Sequence, residues 1–181
     1  MFNKIKRRFR DMSTIKALCV GAEKHANAEG HKEPGSEHFV LAALELPDGT
    51  ARKAFERINI DPNNYRTAIT RQYEDALRNI GIELPRGGAV SDNAVTVPSG
   101  TGVYNAQSSA QVLMQHLANQ QKTDSSTPLL GAHVILAVTA AQYGVAVRAL
   151  RAMGVDPATL AEAARAEITH FVSPAYATIA R

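Results

Sequence analysis

The sequence predicts an all-α fold in which one four-helix unit is used twice, the two copies related by a pseudo-two-fold axis. Three observations predict it. The stretch from His38 to Tyr65 realigns without a gap on His133 to Leu160, with eight of 28 positions identical, where roughly two would match by composition alone. Most of the other pairs exchange like for like: Val40 with Ile135, Phe55 with Leu150, Ile58 with Met153, Ile60 with Val155. Within the repeat, Phe39, Val40, Ala43 and Leu44 recur at helical spacing. Finally, hydrophobic residues make up 45% while aromatics are 6% and Trp is absent; the abundant Ala suits helices that approach closely.

Each element follows from its own signals. A first helix is expected from Ser13 to Ala28, capped by Ser13 or Thr14, with Leu18, Cys19, Ala22 and Ala26 on one face. After a polar loop, Glu29 to Gly35, Ser36 caps a second helix. Pro47-Asp48-Gly49 breaks the chain, and Thr50 opens a short third helix ending near Ile58. Asn59 and Gly154, at the same place in the two copies, are the residue types that best tolerate the left-handed turn closing a helix. Asp61-Pro62 and Asp156-Pro157 then open the fourth helices, Asp as cap and Pro as first helical residue. The chain therefore divides into a basic extension (1–12), a first repeat (13–83), a Gly/Pro-rich connector (84–104), a second repeat (105–170) and a surface tail (171–181) interrupted by Pro174. The connector carries a short extended segment at Ala94 to Val97. Leu18, Phe39, Leu41, Leu44, Phe55, Leu113, Ile135, Leu136, Val138 and Leu150 should meet in the interior.

Charge and composition exclude several classes of function. The net charge is +3, yet Lys4, Lys6, Arg7, Arg8 and Arg10 all lie in the first ten residues, so the body is near neutral and offers no broad face to nucleic acid. The basic arm reads as a solvated extension; nucleic-acid or membrane-surface binding through Lys4 to Arg10 is the alternative from another class. No apolar run reaches the ~18 residues of a membrane span, and Met1 to Arg10 lacks the apolar stretch of a secretory signal. No membrane partner is expected. Cys19, the single cysteine, excludes an internal disulfide, fits a reducing cytoplasmic compartment and reads as a small buried hydrophobe. No His-Glu-x-x-His or paired Cys/His spacing occurs, so neither a metal site nor a cofactor is expected. His38 and His133 precede buried helices at equivalent positions and read as hydrogen-bonded core histidines. Ser36-Glu37-His38 is contiguous, which rarely lets three side chains converge on one atom, so the chain is not read as an enzyme.

Gly30-His31, then Gly35-Ser36-Glu37-His38, an apolar helix, Gly49-x-Ala51 and Asp61 together resemble the N-terminal repeat domain of ClpC-type AAA+ unfoldases. The resemblance runs from about Phe9 to Ile168 and implies two Clp-N-type repeats. No Gly-x-x-x-x-Gly-Lys-Ser/Thr loop accompanies them, so it implies a stand-alone recognition domain without the ATPase modules. In that family the domain docks adaptors and substrates and binds phosphorylated arginine through a hydroxyl of the first helix and the Glu of Gly-Thr-Glu-His. Carried over, these fall on Ser13 and Glu37, with Ser36 beside them. In the second repeat Ser109 matches the hydroxyl, but Gly131-Ala132-His133 has lost the Glu, so one strong site is expected. The family also binds cyclic-peptide antibiotics such as cyclomarin, which would map to Phe9, with Phe2 and Tyr104 contributing. The resemblance thus implies a binding module for peptides, phosphoarginine-bearing proteins or adaptors that modulates Clp-dependent proteolysis, with Clp unfoldase and protease components or their substrates as partners. A decoy for cyclic-peptide antibiotics is the alternative.

Overall fold

A computed structural model describes residues 2–79, 106–123 and 127–179. These residues form helices α1 (Phe2–Ala28), α2 (Ser36–Leu44), α3 (Thr50–Arg57), α4 (Asn64–Asn79), α5 (Ser108–Thr123), α6 (Gly131–Thr139), α7 (Val145–Ala152) and α8 (Pro157–Ile179). No strand occurs among the described residues, so the all-α expectation holds. The connector and its extended segment lie outside the described residues.

α2 and α6 form the centre. Every residue of α2 is buried, and so is nearly all of α6. α1 packs on α2 and α5 on α6, while α2 and α6 meet each other. The outer helices exchange partners: α3 lies on α8 and α4 on α7. That reciprocity is the pseudo-two-fold axis, and it means neither half encloses its own core. Tyr65 of α4, fully buried, reaches the carbonyl of Ala146 on α7, and Arg57 of α3 pairs with Glu167 of α8. Of the ten residues expected inside, nine are buried and Leu136 is half-buried. Burying a side chain such as Phe39 or Phe55 contributes about 2 kcal/mol.

Three expected boundaries move. α1 begins at Phe2, so neither Ser13 nor Thr14 caps it; the Thr14 hydroxyl instead donates to the Arg10 carbonyl one turn back. The reason is local: Lys and Arg are good helix formers and no Gly or Pro interrupts residues 2–20. α4 begins at Asn64 rather than at Pro62, because the Asp61 carboxylate takes the N–H of Asn63 in a turn of its own. In the second half Asp156 caps α8 as expected, accepting the N–H and hydroxyl of Thr159. Over the stretch expected as a surface tail, α8 continues through Pro174 to Ile179, with Phe171 and Val172 half-buried.

The two histidines cap the central helices. The Nδ1 atom of His38 accepts the Gly35 N–H (2.9 Å) while the Gly35 carbonyl accepts the His38 N–H (3.1 Å). His133 and Leu130 do the same at 3.1 and 3.0 Å. A buried helix start needs such partners for its orphan amides. Asn59 and Gly154 take the left-handed conformation expected of them, φ 58° and 74°. Cys19 is buried, and burial pushes its thiol pKa up, with the charge of Glu23 adding.

Where α6 enters the core, Gly131 touches the first half so closely that a Cβ would stand 2.9 Å from the Ala43 carbonyl oxygen and 3.0 Å from Ala51. Backbone cannot yield there as a side chain could. Gly131→Ala is therefore expected to cost about 2 kcal/mol, read as a lower urea midpoint with unchanged slope.

Candidate functional site

The starts of α2 and α6 are related by the dyad, but they are finished differently. At α6 the first half supplies a clamp. Asp48 accepts the Gly131 N–H on Oδ2 at 3.1 Å, and the Thr50 hydroxyl accepts the Ala132 N–H at 2.9 Å. Thr50 in turn donates its own N–H (2.9 Å) and hydroxyl (2.5 Å) to Asp48 Oδ1. A carboxylate at a helix N-terminus answers both the unpaired amides and the positive end of the dipole.

In the realigned repeat, Tyr143 and Val145 stand where Asp48 and Thr50 do. Tyr143 is 86% exposed, turned to solvent, and Val145 has no hydroxyl. No equivalent clamp closes the start of α2, and a cavity of about 640 Å³ opens there. Its walls come from three helix starts: Glu33 and Glu37 at α2, Gln107 and Ser109 at α5, Val145 and Arg148 at α7.

Inside this cavity Glu37 is the fixed charge. It is 1% exposed and accepts the Tyr73 hydroxyl at 2.8 Å. Burial, then the charge and hydrogen bond of Glu37, push the Tyr73 pKa well up, so the phenol stays a donor. A carboxylate offers about four acceptor positions, and one bond from Tyr73 leaves it able to take a guanidinium. Its carboxylate lies against Gly35, where any Cβ would overlap both oxygens; this is why a glycine stands two residues before it. The Ser109 hydroxyl accepts the Ser36 N–H at 3.2 Å, and Gln107 ties α5 to the loop through the Pro34 and Glu33 carbonyls.

Thus the structure brings together Ser36, Glu37 and Ser109 and leaves Ser13 apart. Ser13 is exposed on α1, two residues after Asp11, whose carboxylate accepts the Leu129 N–H beside the start of α6. At both central helices a side chain of the other half's first helix meets a backbone amide near the start, Ser109 on the Ser36 N–H and Asp11 on the Leu129 N–H. Phe9 is 69% exposed, Phe2 lies in α1 with its side chain outside the described residues, and Tyr104 lies outside them altogether. Sequence reasoning missed Tyr73, Gln107 and Arg148. Arg148 had a signal, since Lys53 holds the aligned position and the charge is repeated.

Residues 13–123 match the model of the Clp repeat (R) N-terminal domain. The chain belongs to this family. Among curated relatives it is 33% identical to the chloroplastic chaperone protein ClpC1 of Oryza sativa subsp. japonica over 64 residues, 35% of this chain and 7% of that protein. It is 24% identical to the chloroplastic chaperone protein ClpC of Pisum sativum over 110 residues, 61% of this chain and 12% of that one. The chain thus spans only a small part of the relatives it matches.

Next to the pocket, this Clp repeat domain groups Glu29, His31 and His38, whose ligand atoms lie within 4.8 Å of one another. The cap assigns their role. Because His38 Nδ1 accepts the Gly35 N–H, the ring proton sits on Nε2, which lies 3.3 Å from Glu29 Oε2 and 3.2 Å from His31 Nδ1. A metal at Nε2 would require that proton to leave and the cap to break. The group is a hydrogen-bond relay that steadies the start of α2. Arg66 extends it, pairing with Glu29 at 2.9 Å.

Burial works to raise the Glu29 pKa, but the hydrogen bond and electrostatic pull of His38, with Arg66 and His31 adding, hold it below the ordinary value. A depressed carboxylate contributes stability that is present above its unfolded pKa, near 4.3, and is lost as pH falls through the folded value. Glu29→Gln should therefore lower the urea midpoint at neutral pH, and the gap to wild type should close below about pH 4.

Proposed function

We propose that the cavity between the starts of α2, α5 and α7 receives phosphorylated arginine side chains, and that the chain is a non-enzymatic recognition module for Clp clients or adaptors. The observation that carries this reading is the clamp at α6. There the same backbone arrangement already holds a carboxylate, supplied by Asp48 of the chain itself. At α2 the aligned Ser36 N–H is met by the neutral Ser109 hydroxyl rather than by a carboxylate, so an incoming anion takes the part that Asp48 plays on the other side.

The ligand must also answer Glu37, a buried carboxylate next to those amides. A phosphoryl group bonded directly to a guanidinium supplies both charges within one side chain. Glu37 clamps the guanidinium, while the α2 amides and Arg148 face the phosphate. By occupying such ligands, the module would modulate Clp-dependent proteolysis in competition with full-length chaperones. The second reading, a decoy for cyclic peptides, is supported among described side chains by the exposed Phe9 and Met12.

Calorimetry with free phosphoarginine tests the first reading. Glu37→Gln keeps the volume and the Tyr73 contact but loses the charge, and affinity should fall about tenfold or more. Transplanting the clamp gives the reciprocal test: Tyr143→Asp with Val145→Thr should close the pocket to the ligand and raise stability by about 1 kcal/mol. Heat unchanged by Glu37→Gln, or binding retained with the transplanted clamp, rejects the assignment.

A further inference from the structure

By helical register the first turns of α1 carry a second apolar face, and its described side chains, Phe9 and Met12, are exposed. At about 100° per residue, Phe2, Ile5, Phe9 and Met12 fall within an arc of about 80° on the helix. The core-facing positions of the same helix, Ile15, Leu18, Ala22 and Ala26, centre about 120° away. The two faces are therefore distinct. Phe9 and Met12 are 69% and 64% exposed, and Val20, on the same side, is 56% exposed. Large side chains lined up in water on one helix face mark an interaction surface.

Charge names the partner. Residues 1–10 contain five Lys or Arg and no acidic residue. By register, Lys6 and Arg8 lie about 40° outside the two edges of the apolar arc, with Lys4, Arg7 and Arg10 filling the opposite side. An apolar stripe bordered on both flanks by cations is the pattern of a helix lying in the plane of an anionic bilayer. A duplex backbone would use the cations and leave the exposed Phe9 and Met12 in water. A second copy of the arm would bring five further positive charges against these. No helix among the described residues is long and apolar enough to cross a membrane, so adsorption is the mode that fits.

We infer that the first three turns of α1 dock this protein on anionic membrane surfaces, through the face that carries Phe2, Ile5, Phe9 and Met12. The feature is independent of the phosphoarginine pocket. The spacing of Phe2, Ile5, Phe9 and Met12 has meaning because α1 begins at Phe2.

Co-sedimentation of the full chain tests it, using phosphatidylcholine vesicles with and without about a quarter phosphatidylserine. Binding is expected only with phosphatidylserine and should weaken with salt. Phe9→Asp with Met12→Asp changes two exposed positions, so helical content should be retained in circular dichroism while partitioning falls about tenfold or more. Lys6→Gln with Arg8→Gln should also weaken it. No sedimentation with phosphatidylserine vesicles overturns the inference. So does binding undiminished by the Phe9/Met12 pair, or a short DNA duplex bound equally by wild type and that pair.

Discussion

A single carboxylate decides which end of this symmetric molecule is closed. Asp48, held by Thr50, sits on the first amides of α6, while its aligned counterpart Tyr143 points to solvent. The repeat makes two equivalent helix starts, each with first-turn amides that need partners at the positive end of a buried dipole. One is satisfied from within the chain and has become structure. The other has the Ser109 hydroxyl on its Ser36 N–H and keeps a cavity. Ala132 stands where Glu37 does in the first repeat, at the end that Asp48 already fills.

The pocket depends on the exchange of helices between the halves. Since α5 lies across the start of α2 and α7 packs on α4, its walls come from both repeats, and neither copy could form it alone. The glycines at the two central entries serve this arrangement differently. Gly131 lets α6 approach the Ala43 carbonyl and Ala51, whereas Gly35 makes room for the Glu37 carboxylate. The histidines stand at the same distance from each entry because both caps need an acceptor one turn inside the helix.

Most of the core was legible, because burial writes itself into periodicity: Leu18, Phe39, Phe55 and Leu150 repeat at helical spacing and are all buried. Asn59, Gly154, Asp156 and Pro157 were legible because turns and caps are chosen locally. Contacts between halves were not. An alignment of the two repeats shows which residues correspond but not which ones touch, so it does not reveal that Ser109 meets the start of α2 on the Ser36 N–H. Tyr73 was invisible for the same reason: its bond to Glu37 joins residues 36 positions apart. The start of α1 was missed because a Ser before an apolar run looks like a cap even when the helix has already begun.

Pocket and arm lie at opposite ends of α1. Glu29, just past the end of that helix, touches His38 at the start of α2, whereas Asp11 touches Leu129 at the entry to α6. From Phe9 to Ala28 the helix rises about 29 Å at 1.5 Å per residue, well beyond the Debye length of about 8 Å at physiological salt. The cations of the arm therefore contribute little to the potential at the α2 cavity, where Arg148 and the helix starts are the local positive groups. Equally, a surface held by Phe9 and Met12 would leave the cavity open. A ligand at the cavity and a surface at the arm would therefore not compete for the same end of α1.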